Sequence, residues 1–208
     1  MKITELKVNE YLEILGSDAP APGGGAAAGL AGAQGVALVA MVANLTIGKE
    51  KFKEYEEHCI NIKAECERLE KALEQCTNDD VQAYSLFSAA YKMPRTTEEE
   101  KAERAAAIAK AALNATEVPL KTMALCLEGL KLADAMVGNS NPNIISDIGV
   151  GAQNLLSAVK SSWLNVKINL PSLKDEVQKE NFKSEGERIF GEAEVLADKV
   201  YANVLAAL

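Results

Sequence analysis

The feature that most constrains this chain is an apolar segment near its N-terminus that is rich in alanine and glycine. From Ala26 to Leu45 the only polar residues are Gln34 and Asn44. About 20 apolar residues can cross a bilayer as a helix, but alanine and glycine gain little in lipid. Three glycines share one helical face, which lets a neighbouring backbone approach closely: Gly25, Gly29 and Gly32. The segment therefore predicts a buried central helix rather than a membrane span.

The rest of the composition favours helices packed around this segment. The chain has 208 residues, of which 48% are hydrophobic and 5% aromatic, so a sizeable core can form. No stretch alternates apolar and polar residues as a half-buried strand would. The sequence predicts an all-α fold in which residues 1–208 form a single-domain bundle of six to eight helices around the Gly/Ala-rich helix.

Charge narrows the classes of function. The net charge is −8 and the pI is near 4.9, whereas proteins that bind nucleic acids present basic faces. Nucleic acid is therefore not an expected partner, and an anionic ligand would have to meet a local group of lysines. The first 15 residues mix charged and apolar positions, unlike a secretory signal, so we expect a cytoplasmic location.

A stripe of residues spaced alternately three and four apart predicts a long helix with a coiled-coil-like seam: Phe52, Tyr55, Cys59, Ile62, Cys66, Leu69, Leu73 and Cys76. The seam accounts for three of the four cysteines as small buried hydrophobic residues. None of the four stands in a pattern typical of disulfides or zinc sites. In the same register follow Asp80, Ala83, Phe87 and Ala90, so a carboxylate occupies a position where burial is costly.

Capping residues and helix breakers set the other expected boundaries. A first helix is predicted over about residues 4–15, and the Gly/Ala helix is expected to end near residue 47. Thr96 and Thr97 predict a capping box for a helix that reaches about residue 116. Pro119 then kinks the chain or begins another helix, which ends near residue 137. A helix over about 144–163 and an irregular link precede a last helix opened by Pro171, whose expected buried residues are Leu173, Val177, Ile189, Leu196, Val200 and Val204.

Asp80 is the sharpest candidate for chemistry, and two interpretations of it remain open. The carboxylate either caps or bridges neighbouring helices, or it is a general acid or base whose pKa is raised by loss of solvent. Asp147 and Lys49 are equally suited to a site or to stabilising helix termini. Pro22 and Gly23–Gly25 lead into a helix N-terminus, whose free N–H groups can hold an anion or a polarised oxygen.

Five segments resemble the cyclodeaminase/cyclohydrolase family of folate one-carbon enzymes, and they occur in that family's order. They are "DAPAPGGGAAAGLAGAQGVALVAMVANLTIGK", "DDVQAYSLFSAAYKMP", "EEEKAERAAAIAKAALNATEVPL", "GNSNPNIISDIGVGAQ" and "NVKINL". Together they span most of the chain. Ala26 stands where the family often has serine, and Tyr84 stands where phenylalanine is common.

The resemblance implies an all-helical homodimer with folate sites in clefts near the subunit contact, and neither a metal nor a redox cofactor. A cyclohydrolase would open 5,10-methenyltetrahydrofolate to 10-formyltetrahydrofolate by adding water. A cyclodeaminase would close 5-formiminotetrahydrofolate to the methenyl compound and expel ammonia. We expect the cyclohydrolase, because the chain stands without a formiminotransferase domain. A helical dimer that binds folate without catalysis, or acts as a scaffold, is a third reading.

The resemblance also gives single residues expected roles. Asp80 would move protons and stabilise an amidinium cation, and Asp147 would accept hydrogen bonds from the pterin. Lys49 would protonate the leaving nitrogen or meet the glutamate tail, which carries one or several glutamates. The expected substrate-binding residues are Pro22, Gly23, Gly24, Gly25, Asn44, Tyr84, Lys92, Asn139, Asn154 and Asn165, and no metal ligand is expected.

Overall fold

In the computed structural model, which describes residues 2–208, the chain forms six α-helices linked by turns and short 3-10 segments. They are α1 (Val8–Leu15), α2 (Gly24–Asn44), α3 (Glu56–Lys92), α4 (Glu98–Met136), α5 (Ile145–Asn169) and α6 (Glu176–Ala207). No strand occurs within residues 2–208. The predicted all-α fold is therefore confirmed, although α1 begins later and α2 ends slightly earlier than the sequence indicates.

Helix α2 is the central helix of the bundle. It packs against α3, α4 and α5, and more than half of its most apolar window is buried. Of the helices in the described part of the chain, it alone is long and apolar enough to cross a membrane. Its burial among three neighbours is that of a core helix, as the sequence predicts.

Glycines allow the close approach of the helices around α2. A Cβ on Gly29 would overlap the hydroxyl of Thr77 on α3, and one on Gly32 would lie 2.6 Å from Cys126 Sγ on α4. A Cβ on Gly35 would lie 2.8 Å from the carbonyl oxygen of Gly151 on α5. The predicted glycine face is therefore confirmed, because side chains at these positions would force the helices apart.

Helices α2 and α5 run antiparallel to each other. Gly24, at the start of α2, lies near Asn165 at the end of α5, whereas Gly35 contacts Leu155, nearer the start of α5. Each helix is more than 20 residues long. The pair therefore extends over about 30 Å and has two well-separated ends.

Helix α3 follows the predicted seam from Cys59 onward, whereas the first two seam residues, Phe52 and Tyr55, lie in a 3-10 segment before it. Cys59, Cys66, Leu69 and Leu73 are fully buried, and the helix continues through Asp80 to its last residue. Burial raises the pKa of the Cys66 thiol to about 12, so this thiol stays protonated and behaves as an apolar group.

Helix α4 differs from the prediction because it continues through Pro119. Thr97 caps it in the predicted box, accepting from the Glu100 N–H at 3.2 Å. Proline in a helix removes the hydrogen bond to the carbonyl four residues earlier, which here is that of Ala115. The side chain of Asn169 donates to this oxygen at 2.6 Å. The Ala115 carbonyl therefore still accepts a hydrogen bond, although Pro119 has no N–H to donate.

The C-terminal boundaries also differ. Helix α5 reaches Asn169, through a segment predicted to be irregular, and a 3-10 turn then carries Pro171. The last helix begins only at Glu176, because the Asp175 carboxylate accepts the N–H groups of Val177 and Gln178 and so caps the helix. Val177 is 72% exposed rather than buried, since the buried positions of α6 begin at Gly186. Leu196 is half-buried, and the remaining predicted core residues are buried: Leu173, Ile189, Val200 and Val204.

Candidate active site

A cleft of about 440 Å³ opens where α2 begins and α5 ends. The loop before α2 forms one side, α3 forms the floor, and α4 and α5 close the other side. Its lining consists of Pro20, Ala21, Gly23, Gly24, Gly25, Asp80, Ala83, Tyr84, Phe87, Ala115, Asn165, Ile168, Asn169 and Ser172. The fold thus gathers six of the predicted site residues, from three separate parts of the sequence, into one cleft.

Asp80 is the one charged side chain of this lining. It is half-buried, and its carboxylate lies against Gly25, where a Cβ would overlap Oδ1. Burial raises the pKa of this carboxyl above its ordinary value, and the backbone N–H of Ala26 partly offsets that rise. A carboxylate with a raised pKa is a better proton acceptor than one in free solution.

Asp80 also stabilises the start of α2. Gly23, at the N-cap, has no side chain to satisfy the free N–H groups of the first turn. The Asp80 carboxylate from α3 lies against this first turn at Gly25, where the positive end of the helix dipole favours an anion. Asp80 therefore lies between two helices and also lines the cleft, and its role as a general acid or base stays a prediction.

The wall of the cleft beside Asp80 is apolar and aromatic. Ala83 is buried, and Phe87 is half-buried with its ring centroid 4.7 Å from that of Tyr91. Tyr84 is 45% exposed at the mouth of the cleft, opposite Ile168, which is 75% exposed. Flat apolar surfaces of this kind suit a planar ring system, with the carboxylate at its edge.

Asn165 lies across the cleft from Asp80, beside Gly24. Its side-chain amide donates to the Ser161 carbonyl, one turn earlier in α5, at 2.9 Å. Pro22 is buried between the lining residues Ala21 and Gly23. We call this end of the α2–α5 pair, with Gly23–Gly25, Asp80, Tyr84 and Asn165, the glycine end.

Four other predicted residues lie towards the opposite end of the α2–α5 pair, the lysine end: Asn44, Lys49, Asn139 and Asp147. Asn154 lies nearer the middle of α5, beside the Leu155 that contacts Gly35. At about 1.5 Å per residue, roughly 28 Å of helix separate Gly25 from Asn44. The turn after α4 packs against the lysine end, where the Asn141 N–H donates a hydrogen bond to Thr46 Oγ1 at 3.0 Å. Within one chain these residues therefore do not meet Asp80. Lys92, the last residue of α3, is exposed and does not line the cleft.

A larger cavity, of about 720 Å³, lies between α3 and α4. It is lined by apolar residues such as Leu86 and Met93, with Lys110 and Glu117 among its polar residues. None of the predicted site residues lies there. The larger cavity is also lined by a half-buried carboxylate, that of Asp79. We take the smaller cleft as the candidate active site because it gathers six predicted residues around Asp80, whose pKa is raised by burial.

A comparison with known protein families gives a match over most of the chain. Residues 7–188 match the formiminotransferase-cyclodeaminase family. The chain belongs to this family. The matched range includes every residue of the cleft.

Relatives in this family are similar over most of the chain. The methenyltetrahydrofolate cyclohydrolase of Methylorubrum extorquens is 40% identical over 197 residues, which cover 95% of each chain. The formimidoyltransferase-cyclodeaminase of Gallus gallus is 32% identical over 84% of this chain but only 32% of its own length. The crystal structure of the formiminotetrahydrofolate cyclodeaminase of Thermotoga maritima superimposes with a TM-score of 0.81 at 25% identity, over 99% of this chain and 97% of that one.

Sequence reasoning did not select eight of the residues that line the cleft, among them Phe87, Ile168 and Asn169. Phe87 was visible only as a member of the α3 seam. Ile168 and Asn169 lie in the segment that was predicted to be irregular. Had that segment been read as helix, the four-residue spacing of Asn165 and Asn169 would have placed both amides on one face.

Proposed function

We propose that this chain hydrolyses 5,10-methenyltetrahydrofolate to 10-formyltetrahydrofolate. The observation that carries the proposal is the half-buried Asp80 carboxylate in a cleft whose other walls are apolar and amide. The 40% identity to a cyclohydrolase of the same length supports it. The substrate carries a one-carbon unit between two nitrogens as a delocalised cation, and a partly desolvated anion beside that carbon stabilises it strongly.

Asp80 would act first as a general base. A water molecule attacks the methenyl carbon, and the carboxylate takes one of its protons as the carbon–oxygen bond forms. The product of this step is a tetrahedral carbon that bears a hydroxyl and both nitrogens. The raised pKa of the Asp80 carboxyl favours this proton transfer, because a carboxylate with a higher pKa binds the proton more tightly.

Asp80 would then return its proton to N5. The bond between N5 and the carbon breaks, the hydroxyl loses its proton to solvent, and the formyl group remains on N10. One water is consumed and one proton is released overall. Because this sequence contains only additions, eliminations and proton transfers, we propose that it proceeds with no added metal or redox cofactor.

We further propose that the chain functions as a homodimer, through an uncharged face on α2 and α5. The outward residues of this face carry no charge over most of its length: Ala27, Leu30, Gln34, Leu38, Met41, Leu45, Val150, Asn154, Ser157, Ser161, Leu164 and Ile168. On α5 the same spacing reaches a charged residue only at Asp147, near the start of the helix. A quarter of the whole chain is charged, so a face without charge is typical of a surface that is covered.

A two-fold axis that lies in the plane of this face and perpendicular to α2 and α5 would bring the glycine end of one subunit to the lysine end of its partner, since two-fold interfaces are formed by the same patch on both copies. Ile168 belongs both to the face and to the cleft lining, so a partner on the face would border the cleft. Lys49 is exposed and makes no ion pair within residues 2–208. The partner's lysine would meet the glutamate carboxylates of the folate, including those of a polyglutamate tail.

The proposed reaction is tested with the purified protein and two substrates. Loss of the methenyl absorbance with formation of 10-formyltetrahydrofolate identifies the cyclohydrolase. A gain of that absorbance from 5-formiminotetrahydrofolate, with release of ammonia, identifies the cyclodeaminase instead, which the similarity to the Thermotoga maritima structure favours. If both substrates bind and neither rate changes, the chain is a folate-binding protein without activity and the proposal is wrong.

The proposed dimer is tested by sedimentation of two matched variants. Val150→Lys places a charge within the uncharged face, and Val195→Lys places one on the exposed surface of α6, outside that face. We expect the first variant to sediment as a monomer and the second to sediment as the unmodified protein. An unmodified protein that is monomeric at micromolar concentration would contradict the dimer.

A further inference from the structure

Two asparagine side chains at the end of α5 line the cleft one helical turn apart. Asn165 and Asn169 are both half-buried. In each, the side-chain nitrogen donates to a backbone carbonyl, of Ser161 at 2.9 Å and of Ala115 at 2.6 Å. A carbonyl oxygen can only accept, so the nitrogen of each amide must face it, and this fixes which way each amide is turned.

The bond from Asn169 has a cause in the sequence. Pro119 has no N–H, so the carbonyl of Ala115 lacks its usual helical donor. Asn169 supplies the donor from another helix. The proline in α4 thereby holds the amide at the end of α5 in one orientation.

Each amide oxygen accepts no hydrogen bond in the described part of the chain, and each amide nitrogen keeps one of its two N–H groups free for a ligand. Asp80 on the facing side also accepts. The two carboxylate oxygens and the two amide oxygens outnumber the two remaining amide N–H groups, so Asn165, Asn169 and Asp80 together offer the cleft more acceptors than donors. Such a site favours a ligand that presents several N–H donors on one edge.

On the basis of the proposed function, we infer that Asn165 and Asn169 bind the N–H-rich edge of the pterin, formed by its 2-amino group and the adjacent ring N–H. The pterin ring then lies along the apolar wall at Phe87, and the one-carbon unit points to Asp80. This assigns to α5 of the same chain the contact that the sequence resemblance assigned to Asp147. It also makes Pro119 a positioning residue, which acts through Asn169.

The experiment compares three changes at Asn169 and Pro119. Asn169→Ala removes both the acceptor and the donor to Ala115. Pro119→Ala restores an N–H to Ala115, so the double variant Asn169→Ala with Pro119→Ala loses the acceptor alone. Asn169→Asp with Pro119→Ala restores an acceptor where no donor is needed. Asn181→Ala, an exposed change on α6, is the control.

We expect KM for methenyltetrahydrofolate to rise about tenfold in both alanine variants, with kcat little changed, and to recover in the Asn169→Asp double variant. The 2-desamino analogue of the substrate should bind equally to all of them. Two results would show that the role of Asn169 is only structural and that the inference is wrong. One is that adding Pro119→Ala restores the KM of the Asn169→Ala variant. The other is that the substrate and its 2-desamino analogue lose affinity equally.

Binding of tetrahydrofolate, measured by calorimetry, separates this inference from the proposed reaction. This measurement needs no turnover, so it tests the acceptor pair, which is the two side-chain oxygens of Asn165 and Asn169, even in a protein that leaves the methenyl absorbance unchanged. A roughly tenfold weaker affinity of the Asn169→Ala double variant supports the pair even if the proposed reaction fails. An unchanged affinity overturns the pair even if the reaction is confirmed.

Discussion

The two ends of the α2–α5 pair differ in what they offer to a folate. The glycine end has a cleft with a half-buried carboxylate, two amides and an aromatic wall, but no lysine or arginine in its lining. The lysine end has the exposed Lys49, Lys51 and Lys53 and lies roughly 28 Å away along the helices. Neither end of one chain combines the proton acceptor with cations for a substrate tail. The predicted site residues are therefore divided between the two ends, and the proposed two-fold dimer would reunite them.

The largest effect should come from filling the space beside Asp80. Gly25→Ala places a methyl group where Asp80 Oδ1 now lies, so the carboxylate must move away from the cleft floor. Displacing a catalytic group by about 1 Å can cost roughly 100-fold in rate, and we expect a loss of that order in kcat. Gly24→Ala is the matched control, because its Cβ would meet only Asn165 Nδ2, at 3.9 Å. Equal turnover in the two variants would show that the position of Asp80 does not matter.

Mixed dimers test whether the two ends work together. Asp80→Asn and Lys49→Ala subunits are each expected to be weakly active alone. In a mixed dimer one cleft keeps its own Asp80 and receives an intact Lys49 from the partner. Random mixing should therefore restore roughly a quarter of the unmodified activity, since half the dimers are mixed and each has one good site. Activity no higher than the mean of the two parents would place the complete site within one chain.

The smallest effect concerns stability. Burial raises the pKa of Asp80 from 3.8, so the folded chain binds this proton more tightly than the unfolded chain does. Stability of the unmodified protein therefore falls as pH rises from about 3.8 to the raised pKa. Asp80→Asn lacks this titration, so its Tm relative to the unmodified protein should increase across that window and then level off. Melting curves between pH 4 and pH 8 that run parallel would contradict the raised pKa.

Much of the fold was predictable because it follows from periodicity. The α3 seam and the glycine face of α2 depend on residue spacings of three and four. These spacings can be recognised in the sequence without knowing which helices pack against each other. The errors occur where contacts between residues distant in sequence, or competing caps, determine where a helix begins or ends. Pro119 stays inside α4 because Asn169, distant in sequence, replaces the lost donor. The last helix starts late because Asp175 is a stronger cap than the residues around Pro171.

The site was predictable in part for the same reason. Asp80 stands out because a carboxylate at a position of the apolar seam is unusual, and the sequence of α3 alone is enough to show this. Asn169 does not stand out, since its meaning depends on a carbonyl of α4 and on reading residues 164–169 as helical. The separation of Asp147 and Lys49 from Asp80 is equally invisible in the sequence. It follows from the antiparallel packing of α2 and α5, which resemblance to a family motif does not convey.

The most direct measurement of the central claim is the turnover of methenyltetrahydrofolate by Asp80→Asn at saturating substrate, followed by absorbance. The amide keeps the size of the side chain but cannot take a proton from water at neutral pH. We predict a fall in kcat of roughly 100-fold or more, with the fold intact by circular dichroism. A kcat within about threefold of the unmodified protein would mean that another group moves the proton.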